Sequence, residues 1–189
     1  SYQNSVRINA FCLMGNHCHQ LIDFCNSSTT LSNHMRYSHG IFGAKYNRKN
    51  SRCGKVAMGR PQTSLLQNSE HQMRVHFYIE ANPLRAGLCS LNQLRFFSFN
   101  SYKFFAFGIK DRLSKLLTIP DWYLRLGKNP KERQRKYRAL FAAYLNREKK
   151  CATKFLFLKK YIGDTIWIEC QMKSIRKKII AVSSTGNTS

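Results

Sequence analysis

The residues from Val6 to Ile22 restrict the fold most. Val6, Ile8, Ala10 and Cys12 alternate with Arg7, Asn9 and Phe11, and a period of two marks a strand with one face buried. Gly15-Asn16 supplies a turn signal, after which an apolar run returns through Leu21 and Ile22. The predicted element is a hairpin over 5–14 and 17–24. His17 and His19 stand just past its turn. Side chains two apart on a strand share a face, so both imidazoles project from one side, close enough to share a metal ion. Surface or hydrogen-bonded core histidines give the same pattern, and the rest of the chain has to separate the two readings.

Charge narrows the partner. The 189 residues carry 32 Lys and Arg against 9 Asp and Glu, a net charge of +23. A chain so unbalanced repels itself unless a polyanion is its ordinary partner. Nucleic acid is the first candidate and an anionic membrane surface the second. No apolar run reaches the roughly 20 residues of a membrane span, no signal-peptide pattern opens the chain, and no helix has the clean apolar face of a membrane-surface segment. Cys12, Cys18, Cys25, Cys53, Cys89, Cys151 and Cys170 are irregularly spaced with no C-x-x-C pair. That spacing argues against a disulfide framework and a zinc knuckle. The expected setting is reducing and cytoplasmic, with each cysteine a small buried hydrophobe.

Along the chain, the N-cap residues of 26–30 precede a helix over 30–47, weakened by Gly40 and Gly43. A basic stretch follows, in which Lys45, Arg48, Lys49, Arg52 and Lys55 read either as a solvated loop or as contacts to a nucleic-acid backbone. Short strands are expected at 55–58 and 62–66, then a helix over 70–82. On its wheel Met73, Phe77 and Ala81 form one face, and His71, Val75, Tyr78 and Asn82 another. That second face could offer Tyr78 and Asn82 to a site, or Tyr78 could be a half-buried packing tyrosine. Pro83 ends or kinks the helix. The aromatics of 91–108 either stack unpaired bases or close the core. From Ile109 the chain reads as basic and helical, with a helix over 131–146 whose Arg133, Arg135 and Lys136 crowd its positive end, an arrangement suited to phosphates. A last helical pair spans 152–180, and 183–189 reads as a disordered tail.

Four stretches together resemble one family, the REP-associated tyrosine transposases, single-tyrosine HUH endonucleases related to small insertion-sequence transposases. They are Leu13-Met14-Gly15-Asn16-His17-Cys18-His19, Tyr46-Asn47-Arg48-Lys49 with Gly54 and Gly59-Arg60 downstream, Tyr78-Ile79-Glu80-Ala81-Asn82-Pro83-Leu84-Arg85-Ala86-Gly87, and Phe97-Ser98-Phe99-Asn100-Ser101-Tyr102. The resemblance implies an α+β, ferredoxin-like core with an antiparallel sheet and helices on one face over 1–108, followed by a basic helical C-terminal region over 109–182. It implies His17, His19 and Asn82 as ligands of Mg²⁺ or Mn²⁺, Tyr78 as the nucleophile, and Arg60 and Arg85 among the DNA-contacting residues. Single-stranded or hairpin DNA is the implied partner of a monomer. The family usually has Pro where Gly15 stands, an aromatic and a basic residue where Pro61 and Gln62 stand, and a further strand and helix before residue 5.

The chemistry has use for these residue types. A phenol with a pKa of about 10 is a weak nucleophile at neutral pH, and a divalent cation can polarise the phosphate and hold it in line. Two imidazoles and an amide suit Mn²⁺ better than Mg²⁺ by softness. Attack by a tyrosine keeps the phosphoester bond energy in a covalent intermediate, so a second strand end can be joined without ATP. The competing class is a non-catalytic nucleic-acid-binding protein, which needs the charge and the aromatics but neither the His-x-His pair nor the Tyr-x-x-x-Asn helix.

Overall fold

The computed structural model describes residues 6–24, 28–57, 61–67, 69–150 and 160–174. The fold is mixed α+β. Strands β1 (Val6–Leu13) and β2 (Cys18–Phe24) pair antiparallel, with Ile8 opposite Ile22, Ala10 opposite Leu21 and Cys12 opposite His19. Met14 N–H donates to the His17 carbonyl at 2.8 Å and closes the turn at Gly15-Asn16. The register slips between Ile8 and Ala10, and this bulge changes the expected alternation. Asn9, Ala10, Phe11 and Cys12 are all buried, because β1 is covered on both faces. Its outer edge is also occupied. Leu13 N–H donates to the Phe99 carbonyl, Ser101 N–H to that of Phe11, and Thr118 N–H to that of Ile8. Asn9, inside the bulge, donates its side-chain amide to the Thr118 carbonyl at 3.1 Å. A bare edge would leave these backbone groups unpaired.

Helix α1 (Ser28–Lys49) follows the hairpin, and α2 (Ser69–Glu80) crosses the sheet. Val75 and Ile79 of α2 pack on Ala10, Cys12 and Leu21. Phe77 and Ala81 face the other way, into an aromatic cluster with Tyr102 and Phe105 of α4 (Tyr102–Phe107), Trp122 and Tyr123 of α5 (Asp121–Leu124), and Tyr137 and Phe141 of α6 (Pro130–Lys150). Helix α2 is therefore buried on two sides, and the core it organises runs on past residue 108 into α6. A short helix, α3 (Asn82–Arg85), begins one residue after α2 with Pro83 in its first turn, where its fixed φ suits a helix start. Gly87, at φ +67°, turns the chain out of α3.

Several local expectations change. Residues 55–57 form bends rather than a strand, and only Leu65–Leu66 (β3) is extended after them. β3 pairs in parallel with Tyr161–Ile162 (β4), inside a stretch expected to be helical; helix returns at 165–174. Residues 109–120 hold one tight turn, Ser114–Leu116, in place of a helix, because Asp111 and Ser114 bond to each other's backbone N–H groups at 2.7–2.8 Å. Of the cysteines, Cys12 is buried, whereas Cys18, Cys53 and Cys170 are exposed. Cys25, Cys151, Arg60 and the tail 183–189 lie outside the described residues.

Between the two apolar sides of α2 lies a polar junction. The Glu80 carboxylate is fully buried. It accepts from Ser101 Oγ at 2.6 Å, from His76 Nε2 at 3.2 Å and from the Tyr137 hydroxyl. Burial and the Glu80 charge hold the Tyr137 hydroxyl well above the ordinary tyrosine range, so it stays a donor. Removing one donor from a buried carboxylate costs about 1.5–3 kcal/mol. Tyr137→Phe should lower unfolding free energy by that amount in urea titration; a change under about 0.5 kcal/mol would show that the junction does not bind α6 to α2.

Candidate active site at the hairpin turn and the end of α2

His17 sits in the hairpin turn, one residue ahead of β2, and His19 lies within the strand. Their ring centroids are 5.0 Å apart, so the pair is adjacent although only one member is in regular strand. His17 is exposed and His19 half-buried. The Tyr78 ring stands edge-on to His19 at 6.2 Å. Two imidazoles from the hairpin and one phenol from α2 thus meet, because Val75 and Ile79 seat α2 on the sheet face that leaves Tyr78 at its margin.

Each imidazole is held or tuned by its neighbours. Asn16 Oδ1 lies 2.6 Å from His17 Nδ1, a contact that orients the His17 ring. Burial first, then the neighbouring His17 and Arg85, push His19 down to about 4, so it is uncharged at neutral pH. Among the described residues no group of three or more His, Cys, Asp or Glu gathers to hold a metal. A cation at His17 and His19 would draw its other ligands from an amide oxygen, phosphate or water.

Asn82 is buried. Pro83 has no N–H to give the Ile79 carbonyl, and Asn82 Nδ2 takes its place at 3.0 Å while also reaching the Tyr78 carbonyl at 3.1 Å. Asn82 also braces the helix end that carries Tyr78, a role the sequence did not suggest.

Arg85 is part of this site. Its guanidinium lies 3.7 Å from the Tyr78 ring centroid, donates to the Tyr78 carbonyl, and pairs with Glu148 of α6 at 3.0 Å. Tyr144 donates its hydroxyl to the same Glu148. A cation over a phenol face contributes about 0.5–2 kcal/mol and fixes the ring plane. The other basic residues fall into separate groups. Lys45, Arg48, Lys49, Arg52 and Lys55 are all exposed at the end of α1 and in the loop after it. On α6, Arg133 is bonded to the Gly127 carbonyl, Lys136 is paired with Glu132 at 2.7 Å, and Arg135 is exposed.

Calorimetric titration with Mn²⁺ tests the ligand assignment. His17→Ala should weaken binding by more than about 10-fold, and Asn16→Ala, which loses only the orienting bond, by about 10-fold. Equal affinity in wild type and His17→Ala would remove His17 from the site.

Compared with known proteins, the chain matches no family model, no curated protein and no solved structure.

Proposed function

We propose that this chain is a metal-dependent single-strand DNA endonuclease and strand transferase of the HUH type, acting on hairpin-forming DNA through a phosphotyrosine at Tyr78. The observation that carries the reading is the meeting of His17, His19 and Tyr78 from two separate elements, with ring centroids 5.0 and 6.2 Å apart. A binding protein has no need to bring those three side chains together. The family resemblance adds a ferredoxin-like arrangement, supported here by a hairpin with a helix packed across it, together with a monomeric, cytoplasmic protein.

His17 and His19 would hold Mg²⁺ or Mn²⁺, with Asn82 as a third donor, and the bound ion would supply Lewis-acid polarisation of the phosphate. In cleavage, Tyr78 Oη bonds to phosphorus and gives up its proton while the bridging ester oxygen leaves and is protonated. Rejoining reverses these steps, with a strand hydroxyl as nucleophile and Tyr78 as leaving group. Arg85, paired with Glu148, fixes the phenol plane.

An end-labelled hairpin oligonucleotide incubated with protein and Mn²⁺, then run on a denaturing gel, tests the reading. Wild type should give a protein–DNA adduct and Tyr78→Phe none, with DNA affinity retained by the variant. Cleavage by Tyr78→Phe at the wild-type rate, or an adduct on Tyr46 or Tyr102, would overturn the assignment. Binding without an adduct in wild type would leave the non-catalytic nucleic-acid-binding reading in its place.

A further inference from the structure

Helix α1 is the least buried long element of the fold: none of its described side chains is fully buried. Phe42 is 58% exposed and Tyr46 37%. They lie one turn apart with ring centroids at 5.7 Å, and the Arg52 guanidinium sits 5.7 Å from the Tyr46 ring. Between Asp23 and Glu70 the sequence has no acidic residue, while Arg36, Lys45, Arg48, Lys49, Arg52, Lys55 and Arg60 fall within that span. An exposed aromatic pair inside an acid-free basic tract combines the two elements of a single-strand binding surface: rings that stack on bases and cations that follow the backbone.

The helix also carries a cleft. Gly40, Gly43 and Ala44 face Lys55, Val56 and Ala57 across a shallow, open depression of about 400 Å³. Asn47 Nδ2 donates to the Gly54 carbonyl at 2.8 Å and ties the loop to the helix. Gly54, at φ +91°, lets the loop turn back. Glycine weakens a helix interior, so two within one helix ask for a reason. A Cβ at Gly40 would meet nothing within 4 Å, and one at Gly43 would meet only Val56 Cγ2 at 4.0 Å. Neither glycine is required by close packing; both keep the floor of the cleft open.

We propose that α1 and the loop after it form a second binding surface for single-stranded nucleic acid, made of residues other than those at Tyr78. Phe42 and Tyr46 stack on unpaired bases, Lys45, Arg48 and Arg52 hold the backbone, and the Gly40–Gly43 cleft admits one base. The proposal rests on the polyanion partner in the functional reading above and not on the chemistry at Tyr78.

Fluorescence anisotropy in EDTA, with no metal and no cleavage, isolates this surface. Two labelled probes are compared: a short mixed-sequence oligodeoxynucleotide and an abasic strand of the same length. Phe42→Ala/Tyr46→Ala should lose at least about 5-fold affinity for the first, from a range of about 5- to 150-fold per stacked base, and none for the second. Phe42→Trp should keep wild-type affinity. Gly43→Leu, which fills the cleft with a better helix former, should lose affinity for the base-bearing strand alone. Equal losses on both probes would show that the rings do not stack on bases, and unchanged binding in all variants would remove the surface. Sedimentation supplies a further arm: a wild-type dimer that the double alanine variant converts to monomer, with oligonucleotide binding intact, would assign the surface to a second copy of the chain. Because no adduct is measured, failure of the Tyr78 assignment leaves these outcomes readable, and the reverse holds.

Discussion

A single buried carboxylate holds the geometry of the candidate site in place. Glu80 ends α2 and receives donors from three directions: His76 of its own helix, Ser101 of the segment along β1, and Tyr137 of α6. Its backbone carbonyl accepts from Asn100 Nδ2 at 2.9 Å, and Ser101 bonds in turn to the Phe11 backbone. A charge so deep is costly unless its lone pairs are met, and losing one partner costs more than the pair contributes. The network therefore does not allow β1, α2 and α6 to shift independently. Tyr78 is two residues from Glu80, and His19 lies opposite Cys12 of β1. The distance between phenol and imidazole is set at the junction.

Local chemistry then orients the phenol. Proline at 83 removes one helical hydrogen bond, Asn82 fills the vacancy with its side chain, and Arg85 returns from the following turn to the Tyr78 carbonyl and ring. Glu148 and Tyr144 on α6 hold that guanidinium. The C-terminal helix is thus wired to the site by two polar routes, through Tyr137 to Glu80 and through Glu148 to Arg85. Its basic residues are unequal in consequence: those on the outer surface can meet a polyanion, while Arg138 spends its charge on the Ala106 carbonyl inside the fold.

Much of the hairpin and of α2 was legible in the residues. Alternation in Val6–Cys12, the Gly15-Asn16 turn and the spacing of Met73, Phe77 and Ala81 each act locally, and the elements form where those patterns lie. The bulge at Asn9 was not legible, because it answers to Thr118, far along the chain. The Glu80 junction was missed for the same reason. Its signal was present as a His76–Glu80 pair four apart between two apolar faces, a position where a solvated ion pair has no room. For the aromatic run, sequence left stacking and core equally open. Tyr102 and Phe105 joined the core and Phe96 and Phe99 stayed exposed, a choice made by which side of α4 and its approach meets α6.

The central claim is that His17, His19 and Tyr78 share one point in space where a divalent ion binds. Paramagnetic broadening tests it without catalysis. In protein labelled on its histidine and tyrosine rings, substoichiometric Mn²⁺ should broaden His17, His19 and Tyr78 first, ahead of His71, Tyr46 and Tyr102. Early broadening of His17 and His19 with Tyr78 unaffected, or broadening that begins elsewhere, would contradict the claim.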